Sequence, residues 1–177
     1  MSAYARGVAM DQAAQEMSFE SPRGEVRVVR AGGGRSYWQP KPANGYAEVI
    51  LASSELASVH RFSLGRQLLP PGGRVRLHAH DRAEEVFHVL QGTGVAEIDG
   101  EAHRLEPGTT LYFGHNRQHT IINDGSEDLA WLWLFLPGRL EDFFAAIGRE
   151  RRAGEPAPAP FERPADVREI EKRTVFA

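Results

Sequence analysis

Between about residues 25 and 136 the chain reads as short runs of β-branched and aromatic residues. Gly, Pro or Asn-Asp-Gly clusters interrupt them every 8 to 12 residues or so. No helix-period segment intervenes, so the strands must find partners among themselves. The predicted strands are Glu25 to Arg30, Tyr46 to Leu51, Ser58 to Leu69, Gly73 to His80, Glu85 to Gln91, Gly94 to Ile98, Glu101 to Leu105, Thr109 to Phe113, His119 to Asn123 and Leu129 to Leu136. Asp99-Gly100, between two alternating runs, is a tight-hairpin signal. Ten strands without crossover helices call for a sandwich or a small closed barrel, because closure removes exposed sheet edges.

Two flanking zones complete the 177 residues. Residues 1–24 carry few large apolar side chains and read as a loosely held arm, placed on a partner subunit if anywhere. After the strand zone, 25–136, comes a third zone, 137–177, expected to pack on the barrel as a helix and an extended tail. Leu140, Phe143, Phe144 and Ile147 follow the i, i+3, i+4, i+7 rule and Gly148 comes next, so one structural helix is expected to end there. The proline-rich stretch 153–164 should run extended over the surface, with a short helix from Asp166 to Arg173. Arg149, Arg151 and Arg152 read as a solvated charge run interrupted by Glu150.

Charge and composition narrow the function. Lys+Arg 21 against Asp+Glu 24 gives a net −3, too near neutral to attract nucleic acid or an anionic membrane through overall charge. No apolar run reaches the roughly 18–20 residues that span a bilayer, and Arg6, Asp11 and Glu16 interrupt any signal-peptide core. A cytoplasmic location is therefore expected. There is no cysteine, which removes disulfides, thiolate metal sites and a cysteine nucleophile. Gly32, Gly33 and Gly34 are not followed by Lys-Ser/Thr, and no G-x-S-x-G or H-E-x-x-H occurs. Any metal must be held by His and carboxylate.

The chemistry concentrates in a few of the seven histidines. His78 and His80, two apart in a strand-like run, project to one face. Glu85 opens the next run and shares its face with Phe87 and Val89; His119 opens another and shares its face with Ile121 and Asn123. Three imidazoles and one carboxylate turned into a barrel would form an N3O site with positions left for water or substrate. The bland alternative is that His78 and His80 are ordinary half-exposed strand residues. Strand parity adds Gln67, Phe87, Tyr112, Ile121 and Trp133 as possible pocket residues, each competing with a plain core role, and His115 as a group at the pocket mouth or simply a turn residue. Trp131, Trp133 and Phe135 alternate with Leu132, Leu134 and Leu136, so both faces of that strand are expected to be covered.

The stretch from Gly72 through His78, His80 and Glu85 to Gly92 resembles the first cupin motif, G-x5-H-x-H-x3,4-E-x6-G, with every fixed position present. From Gly108 through His119 to Asn123 the chain is similar to the second, G-x5-P-x-G-x2-H-x3-N, with Gly114 in place of proline and Asn116 in place of glycine. Asn tolerates a left-handed backbone; the missing proline leaves the turn before His119 less rigid. Thr93 to Pro107, fifteen residues, separate the motifs, as in small single-domain cupins, and the later PGRLEDFF is similar to the helix closing quercetin-dioxygenase-like members.

The resemblance implies an all-β, cupin-type jelly-roll β-barrel with a C-terminal helix and extended tail, commonly a homodimer. It implies His78, His80, Glu85 and His119 as ligands of one divalent transition metal, with Fe(II) favoured and Mn, Ni, Cu or Zn possible. Glu85 would double as the catalytic base. The favoured expectation is an iron-dependent dioxygenase acting on a small phenolic, ketone or acid substrate. A metal-dependent isomerase or lyase working through an enolate, or a non-catalytic binding cupin, are the alternatives.

Overall fold

A computed structural model of the protein describes residues 23–174. The expected arm at 1–24 falls almost entirely outside the described residues. Within them the chain forms β1 (Arg35–Trp38), β2 (Tyr46–Ala52), β3 (Ser63–Leu69), β4 (Arg74–His78), β5 (Glu84–Gln91), β6 (Gly94–Ile98), β7 (Glu101–Leu105), β8 (Thr110–Phe113), β9 (His119–Ile122) and β10 (Leu129–Leu136). There follow α1 (Leu140–Ile147), β11 (Arg149–Arg151) and α2 (Val167–Arg173). Seven strands make one sheet, in the order β11-β1-β2-β3-β10-β5-β8, and four make the other, β4-β9-β6-β7. Every pairing is antiparallel. Neighbours far apart in the chain, such as β3 with β10 and β4 with β9, produce the wrapped, jelly-roll arrangement.

Alternation of side chains supplies the core. In β3 every second residue is buried, and in β5 Glu85, Phe87 and Val89 turn inward while their neighbours are half-exposed. Trp131, Trp133 and Phe135 of β10 meet Phe87, Phe113 and Ile121 inside. The opposite face of β10 is less well covered than expected: Leu132 and Leu134 are half-buried and Leu136 is exposed. Asp99 and Gly100 both take positive φ, 49° and 88°, the geometry of the tight hairpin predicted between β6 and β7.

Several boundaries differ from expectation for identifiable reasons. Glu25 to Arg30 is not a strand: it has no ladder partner, Val26 and Val28 are 87% and 78% exposed, and Glu25 instead accepts from the Ala57 N–H at 3.0 Å. β3 begins at Ser63 rather than Ser58, after a single 3-10 turn over Ser53–Glu55. The arginine run forms the edge strand β11, pairing with β1, which the sequence reading missed. Arg151 places its guanidinium 3.7 Å from the Tyr46 ring centroid and 5.0 Å from that of Trp38, so the apolar face of the cation is what the sheet uses. Helix α1 spans the expected residues, but Gly148 ends it through close contact and not through a left-handed turn. Its φ is −92°, and a Cβ there would lie 2.7 Å from the Phe144 carbonyl oxygen and 2.8 Å from that of Trp38.

Gly65 of β3 has a comparable role. A Cβ there would meet Trp133 Cζ2 at 2.1 Å and the Glu48 carbonyl at 2.3 Å, so the indole occupies the space the missing side chain leaves. Gly65→Ala is expected to cost about 1–3 kcal/mol by overpacking, read as a Tm lower by several degrees in thermal denaturation. An unchanged Tm would contradict this packing.

Candidate metal centre

His78, the last residue of β4, stands directly across the ladder from His119, the first residue of β9. A register irregularity between Val75 and His78 adjusts the end of β4. The strand stops two residues before His80, so shared strand parity does not place that imidazole; the loop does. Its carbonyl accepts the Asn116 N–H at 2.7 Å, tying the turn before His119 to the turn after β4. Asn116 has φ 61°, the left-handed backbone expected of it. The tie bridges the two motifs where the proline is missing.

The three imidazoles converge. One ring nitrogen of each of His78, His80 and His119 lies within 4.8 Å of the others. Ring centroids are 4.1 Å apart for His78 and His119, 4.9 Å for His78 and His80, and 5.2 Å for His80 and His119. Glu85 adjoins two of them, with Oε2 at 3.5 Å from His80 Nε2 and 3.8 Å from His119 Nε2. His80, Glu85 and His119 are buried and His78 is half-buried.

Hydrogen bonds set the tautomers. Nδ1–H of His78 donates to the Arg76 carbonyl at 2.7 Å and Nδ1–H of His119 to the Arg117 carbonyl at 2.9 Å. A carbonyl only accepts, so both rings present Nε2 as a lone pair to the cluster. The buried Nε2 of His119 has no hydrogen-bond partner among the described residues, an expensive arrangement unless something else meets it. Burial holds the His78 pKa well below the ordinary histidine value, with the neighbouring His119 and His80 adding to it. Burial also lowers that of His119, against the raising influence of Glu85. Neutral imidazoles offering inward lone pairs beside a carboxylate are the donor set a divalent transition ion takes. Phe113 stacks on His119 at 4.2 Å and Phe135 meets His80 edge-on at 4.7 Å, fixing the rings sterically.

The cluster opens on a solvent-connected cavity of about 80 Å³. Gln67, Phe87 and Ile121 line it as expected. Three expected pocket residues do not. Tyr112 is 62% exposed on the outer face of β8, where Glu84 accepts its hydroxyl and raises its pKa. His115 is an exposed turn residue. Trp133 packs over Gly65 and against Phe144, ring centroids 5.6 Å apart, while Trp131 of the same face reaches the cavity instead. The helix read as merely structural contributes Leu140, Phe143, Phe144 and Ile147 to the wall. Arg76 of β4 and Arg163 of the tail line it too, and the only signal for them was an arginine in strand parity with His78 and one charged residue in a proline-rich segment. Asn123 does not join the cluster: its amide donates to the Leu69 and Glu127 carbonyls at 2.9 and 2.8 Å, clamping the turn after β9.

Residues 65–135 match the model of the cupin domain. The oxalate-binding protein of Thermotoga maritima is 34% identical over 67 residues, 38% of this chain and 55% of that protein. The tetracenomycin polyketide synthase protein TcmJ of Streptomyces glaucescens is 29% identical over 82 residues, 46% of this chain and 54% of that one. The matches thus span only about half the length of these curated relatives. Among solved structures, a predicted oxalate decarboxylase from Thermotoga maritima superposes with a TM-score of 0.54 at 26% identity, covering 62% of this chain and 97% of that one. Residues 65–135 thus carry a cupin domain, and the strands around them follow the cupin architecture.

The depressed imidazole pKa values have a consequence for the chelator-treated, metal-free protein. An unfolded histidine protonates near pH 6.5. His78 and His119 do so only at lower pH in the fold, so acidification below about 6.5 stabilises the unfolded chain first. Between pH 7 and pH 5 the metal-free wild type is expected to lose Tm more steeply than a His78→Gln variant. Parallel curves would contradict neutral burial of His78.

Proposed function

We propose that the protein is a metal-dependent enzyme in which His78, His80, His119 and Glu85 hold one divalent transition ion facing the cavity. The observation that carries this reading is the convergence of three imidazole nitrogens within 4.8 Å, with the Glu85 carboxylate against two of the rings. An ion bound there would supply Lewis-acid or one-electron redox chemistry to an oxygen-bearing substrate.

The chain's own residues have definable tasks. The carbonyls of Arg76 and Arg117 keep Nδ1 protonated on two rings, so Nε2 is always the donor. Phe113 and Phe135 keep the rings from turning. Glu85 is the one group in the cluster with a second oxygen to spare, and it can accept a proton from a substrate hydroxyl or an acidic C–H. Leu140, Phe143, Phe144 and Trp131 present an apolar wall beside that transfer.

The finer reading is an iron(II) dioxygenase for a small oxygenated acid, ketone or phenol. A relative named for oxalate binding and one belonging to polyketide synthesis support oxygen-rich organic compounds as the substrate class. We also propose a homodimer formed over the outer face of the seven-stranded sheet, where Leu90 and Leu136 remain exposed; sedimentation at the mass of a single chain would contradict it.

Elemental analysis of protein purified without air and without chelator is expected to find about one transition ion per chain, reduced to a small fraction in His119→Ala. Absence of metal in the wild type would overturn the proposal. Glu85→Gln is expected to keep much of the metal and to lose turnover by about 10²-fold or more, because a general base contributes 10²–10⁴. Full activity in that variant would remove the base role. Oxygen consumption with phenols, diketones and acids tests the dioxygenase reading; its absence across all three classes would shift the chemistry to an enolate route.

A further inference from the structure

The cavity wall is charged in a way that the cluster of imidazoles does not require. Among the described residues lining it are four cations, Lys41, Arg74, Arg76 and Arg163, against the single carboxylate of Glu85. Two of the cations share one counter-charge. Arg163 Nη2 donates to Glu171 Oε1 at 2.8 Å, and Arg76 donates to the same oxygen. Lys41 is engaged outside by Glu162 at 2.7 Å.

Arg163 is the unusual member. It comes from the extended tail, well beyond the matched domain at 65–135, yet its side chain is only 16% exposed. Its Nε is buried without a hydrogen-bond partner among the described residues, and the guanidinium lies 5.8 Å from the Phe143 ring centroid. Burial, and after it the charge of Arg76, disfavours the Arg163 cation, while Glu171 alone supports it. A half-buried guanidinium with an idle N–H and half a counter-ion is a receptor for a further anion. The rest of the wall is apolar: Leu140, Phe143 and Phe144 of α1 face Phe113 and Trp131.

We infer that Arg163, assisted by Arg76, receives the carboxylate of an amphiphilic organic acid whose apolar or aromatic body lies against α1. Arg163 is then a specificity-determining residue supplied from outside the cupin domain. The planar fork suits a carboxylate's two oxygens, and the aromatic wall discriminates against small, fully polar acids. The inference deepens the enzymatic reading and rests on it for the second function of the same cavity, but its test reads charge selectivity and not turnover.

The test is calorimetric titration of the protein as purified, with its metal content measured on the same sample. The probes are 3-phenylpropanoate, the nearly isosteric uncharged 3-phenylpropanamide, and oxalate. Wild type is expected to prefer the acid over its amide by about tenfold or more, the difference one charge-assisted pair makes, and to bind oxalate more weakly. Arg163→Gln is expected to abolish the acid preference while leaving the amide affinity unchanged. Glu171→Gln, which removes the competing carboxylate, is expected to keep or raise acid affinity.

Equal binding of acid and amide by wild type, or no binding of either, would overturn the inference. So would an acid preference that survives in Arg163→Gln, since the anion would then sit elsewhere. Loss of both probes in Arg163→Gln, or loss of acid binding in Glu171→Gln, would reduce the arginine to a strut for the tail. A metal-free sample that still shows the expected pattern would contradict the metal reading and uphold this one.

Discussion

One short antiparallel ladder governs the chemistry of this protein: β4 against β9, with His78 opposite His119. An antiparallel pair brings opposed side chains to within about 5 Å on one face, which is the separation two ligands of one ion need. Everything else around the cluster either extends this pairing or protects it. The loop after β4 carries His80 to the same point, held by the Asn116 N–H, and β5 of the other sheet brings Glu85 in from across the core. Slip either strand by one residue and its histidine would turn outward, away from its partner.

Holding four ionisable groups together in a largely apolar interior is costly, and the structure offsets that cost by keeping the imidazoles of His78 and His119 neutral. Backbone carbonyls take the Nδ1 protons, aromatic rings exclude water, and burial suppresses protonation. The result is a site poised to receive a cation. Arg76 and Arg163 bring positive charge to the same cavity, where they share the Glu171 carboxylate.

Legibility of the fold in the sequence followed period and punctuation. β6, β7 and β10 lie where alternation and the Asp99-Gly100 turn put them, because both their faces and their turn chemistry are local properties. α1 was equally legible from its apolar stripe, although its work as a cavity wall was not. β1 and β11 escaped notice since four and three residues carry too little period, and their pairing joins segments more than 100 residues apart. The reverse error, a strand at Glu25 to Arg30, came from valines in alternation that have no partner. At the site, motif spacing points to the meeting of His78, His80 and His119, and Glu85 lies beside two of those rings. Trp133 was misplaced because parity tells which side of a strand a residue takes, and not that Gly65 draws the ring away from the cavity; Tyr112 was misplaced because the inward residue of β8 is its neighbour Phe113, which puts Tyr112 on the outer face. Arg163 was invisible: no local pattern tells that a proline-rich tail returns to the cavity.

The central claim is that three imidazoles and one carboxylate share an ion. X-ray absorption at the edge of the metal retained by natively purified protein addresses it most directly. The account predicts a first shell of nitrogen and oxygen near 2.1 Å, with multiple-scattering features of three histidine rings that drop to two in His119→Ala. A shell of oxygens alone, or a wild-type spectrum identical to that of the variant, would contradict it.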